Sequence, residues 1–448
     1  MRDLSGIVKA YDIRGVVGEQ IDTDVVRDLG AAFARFVGGP AVVIGYDMRD
    51  SSPSLSAAFA EGVTGQGVDV VDIGLASTDM LYFASGRLEL PGAMFTASHN
   101  PAKYNGIKLC RAGASPVGQD SGLSEIRQMV EHGVPGFLGA KGSVSKRDML
   151  DGYAEFLGTL VDLSGSRPLK IVVDAGNGMG GYTVPRVFDG LPFEVVPMYF
   201  ELDGNFPNHE ANPLDPKNIV DLQAKVREVG ADAGVAFDGD ADRCFVVDAD
   251  GAPVSPSAIT ALVAVRELAK DPGGTIIHNL ITSKGVPEIV TEHGGKAVRT
   301  RVGHSFIKQT MAETGAIFGG EHSAHYYFRD FWRADSGMLA ALHVLAALGE
   351  TDKPLSELMS QYSRYSASGE INSTVADQDG RMAAVREAFA GEGVEIDELD
   401  GLTVDLGDGS WFNLRASNTE PLLRLNIEAP SDDAVAELRD RVLAIVRA

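Results

Sequence analysis

The sequence predicts an α/β protein, with three related α/β domains followed by a smaller C-terminal α+β domain. Three observations carry this. The chain has 448 residues, too many for one core when domains mostly hold about 100 to 200. Three stretches repeat one plan: apolar β-branched strand, polar glycine-bearing loop, helix-patterned segment, second strand. The stretch after residue 366 breaks that plan and reads strand, helix, two short strands, terminal helix.

In chain order, the repeated units are AVVIGYDMRDSSPSLSAAFAEGVTGQGVDVVDIG, KIVVDAGNGMGGYTVPRVFDGLPFEVVPM and GTIIHNLITSKGVPEIVTEHGGKAVRT. Because βα repetition is common in any mixed sheet, the pattern alone leaves open whether the three are truly related. A polar segment near Lys141 to Arg147 closes the first unit, DADGAPVSPS from Asp248 the second, and QYSRYSASGEI from Gln361 precedes the last portion. The expected domains are therefore 1–147, 148–251, 252–366 and 367–448. In the last, two strands flank the turn of WFNLRASNTEPLLRLNIEA, and DDAVAELRDRVLAIV spaces its apolar residues three and four apart, as a helix does.

With 44% hydrophobic and 23% charged residues, the chain can bury large cores. Its 39 Lys+Arg against 63 Asp+Glu give a net charge of −24, which repels nucleic acid and anionic membranes at long range. An anionic ligand must therefore meet a local cluster of cations. Cys110 and Cys244 lie far apart without CxxC spacing, so neither a disulfide framework nor a zinc site is indicated. MRDLSGIVKAYDIRG lacks the apolar stretch of a signal peptide and no run approaches bilayer-spanning length, so the expected location is the cytoplasm.

The strand-like AGVAF leads into DGDADR, which places Asp238, Asp240 and Asp242 at alternate positions. Crowded carboxylates repel unless a cation joins them, and oxygen-only ligation favours Mg²⁺. An EF-hand is excluded, since its sixth position should be Gly but is Arg243 and its twelfth should be Glu but is Ala249. A solvated acidic turn is the plainer alternative.

Four places offer cations or donors suited to phosphate: Arg14 in YDIRG, Lys108 in NGIK, Arg243, and the turn RASNTEPLLRL. The last combines Arg415, Ser417, Asn418, Thr419 and Arg424, able to take an anion through charge-assisted bonds, or to form an ordinary polar hairpin. GGEHSAHYYF sets Glu321, His322, Ser323 and His325 together, suited to sugar hydroxyls; metal ligation is a weak rival because no HExxH frame is present. His304 in VGHS and Lys284 in SKG follow strand-like runs. Ser98 in FTASHNP has no GxSxG elbow around it, so a hydrolase nucleophile is excluded. A helix cap and a phosphate carrier both remain open there.

TASHNP, DGDADR, GEHSAH and RASNTEP, in this order across nearly the whole chain, resemble the α-D-phosphohexomutase family, specifically its phosphomannomutase/phosphoglucomutase group. The resemblance implies four domains around a central cleft, the first three with mixed sheets. It also implies that Ser98 is a phosphoserine, that Asp238, Asp240 and Asp242 hold Mg²⁺ with it, and that Glu321 and Ser323 bind sugar hydroxyls. Arg415, Ser417, Asn418 and Thr419, with Arg424 beyond them, would hold the phosphate that is not reacting. Tyr11, Arg14, His99, Lys108 and Arg243 match positions around the phosphoserine; Lys284 and His304 match the third-domain part of the cleft. Lys108 and His304 are the candidates for proton transfer. Ala324 departs from the family's commoner GEHSGH, and His322 stands where phosphoglucosamine mutases usually carry Gln.

The implied activity interconverts hexose 6-phosphate and hexose 1-phosphate through a 1,6-bisphosphate, which also serves as activator, with mannose phosphate as first expectation. Phosphorylated hexoses are the expected partners, without nucleic acid or membrane, for a monomer or dimer. Phosphoglucosamine mutase is the near alternative. An aspartate-nucleophile phosphatase built on Asp238 is a further one, although Asp242 stands where that motif wants Thr or Val. A phosphosugar sensor without turnover is the nonenzymatic alternative.

Overall fold

Burial on both faces accounts for the apolar β-branched runs: Ala233–Phe237 is buried throughout, and four of the six residues of Ala41–Tyr46 are. A computed structural model describes residues 3–391, 393–417 and 422–448, with His304 and Ser305 described by backbone alone.

The three repeated units form three mixed sheets with one shared core topology. A first strand lies between a second and a third, both parallel to it, and the third turns back into an antiparallel fourth. In the first sheet these are Ala41–Tyr46, Asp69–Leu75, Gly92–Phe95 and Tyr104–Arg111. In the second they are Leu169–Asp174, Phe193–Met198, Ala233–Phe237 and Cys244–Asp248. In the third they are Thr275–Asn279, Lys296–Thr300, Phe318–Gly320 and Tyr326–Phe328.

The turn between third and fourth strands carries the candidate site residues. It holds Ser98 in the first unit, Asp238, Asp240 and Asp242 in the second, and Glu321 and Ser323 in the third. Each of these turns also contains a non-glycine residue with left-handed backbone: Ser98 at φ 49°, Ala241 at 58° and Ala324 at 66°. That conformation costs an L-residue roughly 1–2 kcal/mol. Its recurrence in three equivalent turns ties the motif loops to one backbone solution, and places Ala324 in the conformation that glycine adopts most freely.

The segment 367–448 is an antiparallel five-stranded sheet in the order Ser366–Thr374, Leu422–Ala429, Trp411–Ala416, Leu402–Asp405, Glu395–Asp397. Helices Gln378–Phe389 and Asp432–Val446 cover it, burying Val385, Phe389, Leu438 and Val442 against Phe412, Leu414 and Leu425. The sequence reading missed Leu402–Asp405 and Glu395–Asp397. They are short, and the Asp- and Gly-rich EIDELDGLTVDLGDG around them hides the alternation. The polar stretch near Lys141 to Arg147, read as a break, carries a short strand, Val144–Lys146, added in parallel to the first sheet.

A continuous apolar core joins the first three sheets, with Phe83, Tyr153, Val172, Val235, Phe318 and Leu339 among its members. The C-terminal sheet keeps a separate core. Cys110 and Cys244 are buried free thiols. Among the described residues, no helix is long and apolar enough to cross a membrane.

Candidate active site

Ser98 is buried at the meeting of the first two motif loops. Its Oγ donates to Asp238 Oδ2 at 2.8 Å and lies 3.2 Å from His99 Nδ1. The loops touch through backbone: a Cβ added to Gly239 would stand 2.4 Å from the Ser98 carbonyl oxygen, so DGD requires its glycine. Arg243 donates through N and Nε to Asp238 Oδ1 and Oδ2, and through Nη2 to His99 Nδ1 at 2.7 Å. A guanidinium only donates, so His99 Nδ1 carries no proton. Burial, then Arg243 and Arg14, lower the His99 pKa to about 2.

Lys108 Nζ donates to Asp240 Oδ2 at 2.7 Å and to Asp242 Oδ2 at 2.5 Å. Burial opposes its charge, but these two carboxylates prevail and hold its pKa well above the ordinary lysine value. Burial drives Asp238 upward against the pull of Arg243, with Asp242 and Asp240 adding repulsion. Asp240 stays low despite its own burial because Lys108 sits on it. Three carboxylates against two cations leave the cluster one positive charge short of neutral.

The donor set fits a hard divalent cation. Ligand oxygens of Asp238, Asp240 and Asp242 all lie within 4.8 Å of one another. Asp240 Oδ1 and Asp242 Oδ1 are buried without a hydrogen-bond partner, a costly state that an oxygen-seeking ion would relieve. The opposite oxygen of each is already held by Lys108, so the free ones are fixed in place. The phosphatase reading fares poorly, since both oxygens of Asp238 are engaged by Arg243 and Ser98.

The third motif loop joins this centre through His325, which bridges to Arg243 in an isolated antiparallel pair. Its Nε2 is 3.7 Å from Asp242 Oδ1, and its Nδ1 is 3.1 Å from Ser323 Oγ. Glu321 is buried. Its Oε1 accepts from Asn279 Nδ2 at 3.1 Å and from Gly303 N at 3.2 Å, and its Oε2 accepts from the Tyr327 hydroxyl at 2.6 Å. Among the described residues these bonds take three of the about four acceptor positions of a carboxylate, and His325 Nδ1 approaches Oε2 to 3.9 Å. The Tyr11 phenol packs on Gly303, where an added Cβ would stand 2.5 Å from its oxygen. Arg14 reaches the serine loop through Asn100 Oδ1.

Arg415, Ser417, Arg424 and Tyr11 line one cavity of about 960 Å³. Arg415 lies 3.5 Å from Asp400, and Arg424 lies 3.7 Å from Glu370. Lys284 is placed elsewhere: its Nζ pairs with Asp405 at 2.7 Å and its N–H donates to Glu428, in a separate cavity between the third and fourth sheets. His322 also turns to that side, its Nδ1 being 3.2 Å from Ser257 Oγ. Asn418, Thr419 and the His304 side chain lie outside the described residues.

Sequence reasoning missed Arg49, and it grouped His325 with the residues suited to sugar hydroxyls, whereas the structure sets it beside Arg243 and Asp242. Arg49 is buried and donates to four carbonyls of the serine loop and its exit: Ser98, Asn100, Pro101 and Tyr104, at 2.7–3.0 Å. Its Nε pairs with Asp47. The usable signal was positional, for Arg49 follows the first strand of its unit. The chain at or just past the end of the first strand braces the motif loop in the other units too, through Met179 N to the Gly239 carbonyl and through Asn279, the strand's last residue, to Glu321.

Comparison with known proteins agrees with this layout. Models of phosphoglucomutase/phosphomannomutase α/β/α domains I, II and III match residues 5–134, 151–251 and 255–365, and the C-terminal domain model matches residues 370–445. The chain is 41% identical over 439 residues to "Phosphohexose mutases" of Xanthomonas campestris, covering 97% of this chain and 98% of that one. It is 40% identical over 445 residues to a phosphomannomutase of Escherichia coli, covering 97% of both. A solved structure of a phosphoglucomutase/phosphomannomutase family protein from Burkholderia thailandensis superposes with a TM-score of 0.89 at 36% identity, covering 100% of this chain and 98% of the other. Four domains matched in order, identity of this level along nearly the full length, and motif loops that converge in space make this chain a member of the phosphoglucomutase/phosphomannomutase family of α-D-phosphohexomutases.

Proposed function

We propose that this chain is a phosphomannomutase/phosphoglucomutase that interconverts hexose 6-phosphate and hexose 1-phosphate through phospho-Ser98 and a bound hexose 1,6-bisphosphate, mannose phosphate being the preferred substrate. The observation that carries it is the Ser98 hydroxyl, 2.8 Å from Asp238, where three carboxylates and two cations converge. Phosphorylating Ser98 adds about two negative charges to a cluster already carrying a net negative charge. Mg²⁺ held by Asp238, Asp240, Asp242 and a phosphoserine oxygen would supply the neutralisation that phosphoryl transfer needs.

In the forward step the free sugar hydroxyl attacks phosphorus. A P–O bond to the sugar forms, the P–Oγ bond of Ser98 breaks with its electron pair left on Oγ, and the sugar hydroxyl's proton passes to a base and on to Oγ, which ends as the Ser98 hydroxyl. Arg243 and Lys108 stabilise charge on the group in transit. Lys108 is charged while Asp240 and Asp242 hold it; it becomes a base only once those carboxylates are satisfied by another cation. His304 is the second candidate for proton transfer. The reverse step, with the other phosphate, needs the bisphosphate to turn around. Arg415, Ser417 and Arg424, which line the 960 Å³ cavity with Tyr11, suit an anion presented in two poses. Asn418 and Thr419 would complete that phosphate loop, Glu321 and Ser323 would receive sugar hydroxyls, and Tyr11, Arg14, His99 and Lys284 would complete the cleft. Lys284 would have to exchange Asp405 for substrate.

A ³¹P NMR time course tests the reading, using Mg²⁺, a trace of glucose 1,6-bisphosphate and mannose, glucose or glucosamine 1-phosphate separately. The expected result is the 6-phosphate, fastest from mannose 1-phosphate and absent with Ser98→Ala. Free phosphate alone would overturn the mutase in favour of a phosphatase, and binding without conversion would favour a sensor.

A further inference from the structure

The helix Thr78–Leu88 belongs to the first domain, yet its first residue rests on the metal loop of the second. Thr78 N–H donates to the Asp240 carbonyl at 3.0 Å, and Thr78 Oγ1 donates to Asp240 Oδ2 at 2.6 Å. Asp240 Oδ2 thus has two donors, Thr78 and Lys108, while Asp240 Oδ1 is buried without one. Rotating this carboxylate would sacrifice both bonds. The free oxygen is therefore aimed before any ion arrives.

What holds Thr78 is a buried cage around its neighbour. Asp79 accepts from Ser77 Oγ at 2.5 Å, Tyr153 OH at 2.6 Å and Ser336 Oγ at 2.7 Å. Its partners are hydroxyls, not cations. Each comes from a different part of the molecule: Ser77 caps the helix itself, Tyr153 lies on Leu150–Leu160, and Ser336 caps the third-domain helix Gly337–Gly349. Groups that bond a ligand's second atom fix its orientation and raise its affinity for metal.

We infer that Thr78 is a positioning residue of the metal centre, and that the Asp79 cage fixes it by tying the first and third domains to the metal loop. This rests on the metal reading above. The test is a Mn²⁺ titration of the full chain followed by EPR, which needs no turnover and so is judged apart from mutase activity. Thr78→Val keeps the shape and removes the hydroxyl, and is expected to weaken Mn²⁺ binding about 10–100-fold. Thr78→Ser restores the donor and is expected to bind nearly as the natural protein does. Tyr153→Phe removes one cage donor far from the loop, and a weakening of a few fold is expected. Unchanged binding by Thr78→Val, or equal weakening by Thr78→Ser, would overturn the role of Thr78. Unchanged binding by Tyr153→Phe would overturn the role of the cage. Failure of the natural protein to bind Mn²⁺ would overturn the metal reading and this proposal with it.

Discussion

Arg49 is one side chain whose removal should be felt throughout the serine loop. A lysine can keep the charge beside Asp47 but cannot reach four carbonyls with one ammonium. Arg49→Lys should therefore destabilise the protein by about 3 kcal/mol, as expected when a buried charged pair loses its geometry, and lower the yield of phospho-Ser98. Urea midpoints and ³¹P NMR of the protein measure the two effects, and added guanidinium should partly restore the second in Arg49→Ala. A second consequence at this scale concerns pH. Burial lowers the pKa of His278 from 6.5 to about 4, and burial with Lys270 and Arg266 lowers His343 well below its ordinary value. The unfolded chain takes up these protons below pH 6.5 while the folded one does not. Their contribution is therefore complete above pH 6.5 and is lost as pH falls, by about 3 kcal/mol for His278 on passing pH 4. Urea midpoints at pH 7.5 and 5.5 should differ, and by less in His278→Asn.

Among the elements, the three turns between third and fourth strands carry the candidate site residues, and the fit of the first two is steric. Gly239→Ala would force a Cβ to 2.4 Å from the Ser98 carbonyl, an atom that cannot swing aside. The loops must separate, and a displacement near 1 Å at a reacting centre can cost about 100-fold in rate. We expect a loss of that order in kcat with about 1–3 kcal/mol of stability. Gly158→Ala, which meets open space on a helix, should leave kcat unchanged and raise stability by up to about 1 kcal/mol. Much of this level was legible in the sequence. The strand, loop and helix of each unit follow from period and glycine, and the residues of the motif loops are contiguous. The bracing residues were not legible, because Arg49, Met179 and Asn279 share a place at or just past a strand end and no residue type.

At the scale of the molecule, the fourth domain has its own core and meets the third largely through charge. Asp397 pairs with Arg299, Asp400 accepts from Val302 N, and Asp405 pairs with Lys284. Partly exposed pairs of this kind are worth roughly 0.2–1 kcal/mol each and weaken with salt. Replacing Asp397, Asp400 and Asp405 together by Asn should shift the balance toward an open fourth domain about tenfold. Small-angle scattering should then report a larger radius of gyration, and 0.5 M salt should move the natural protein the same way. On the mechanism proposed above, the opening would matter because the site would have to turn a bisphosphate around without admitting water.

By itself, the sequence determined the element plan of the three repeated units, the four motifs and their family, because periodicity, turn chemistry and contiguous motifs are local properties of the chain. Only the tertiary structure decided that Thr78 faces Asp240, that Arg49 clamps the serine loop, and that Lys284 rests on Asp405. Those pairings span 162, 49 and 121 residues. Hydrogen bonds and ion pairs depend on distance in space, and no local pattern records which distant donor and acceptor the packing of four domains will bring within reach.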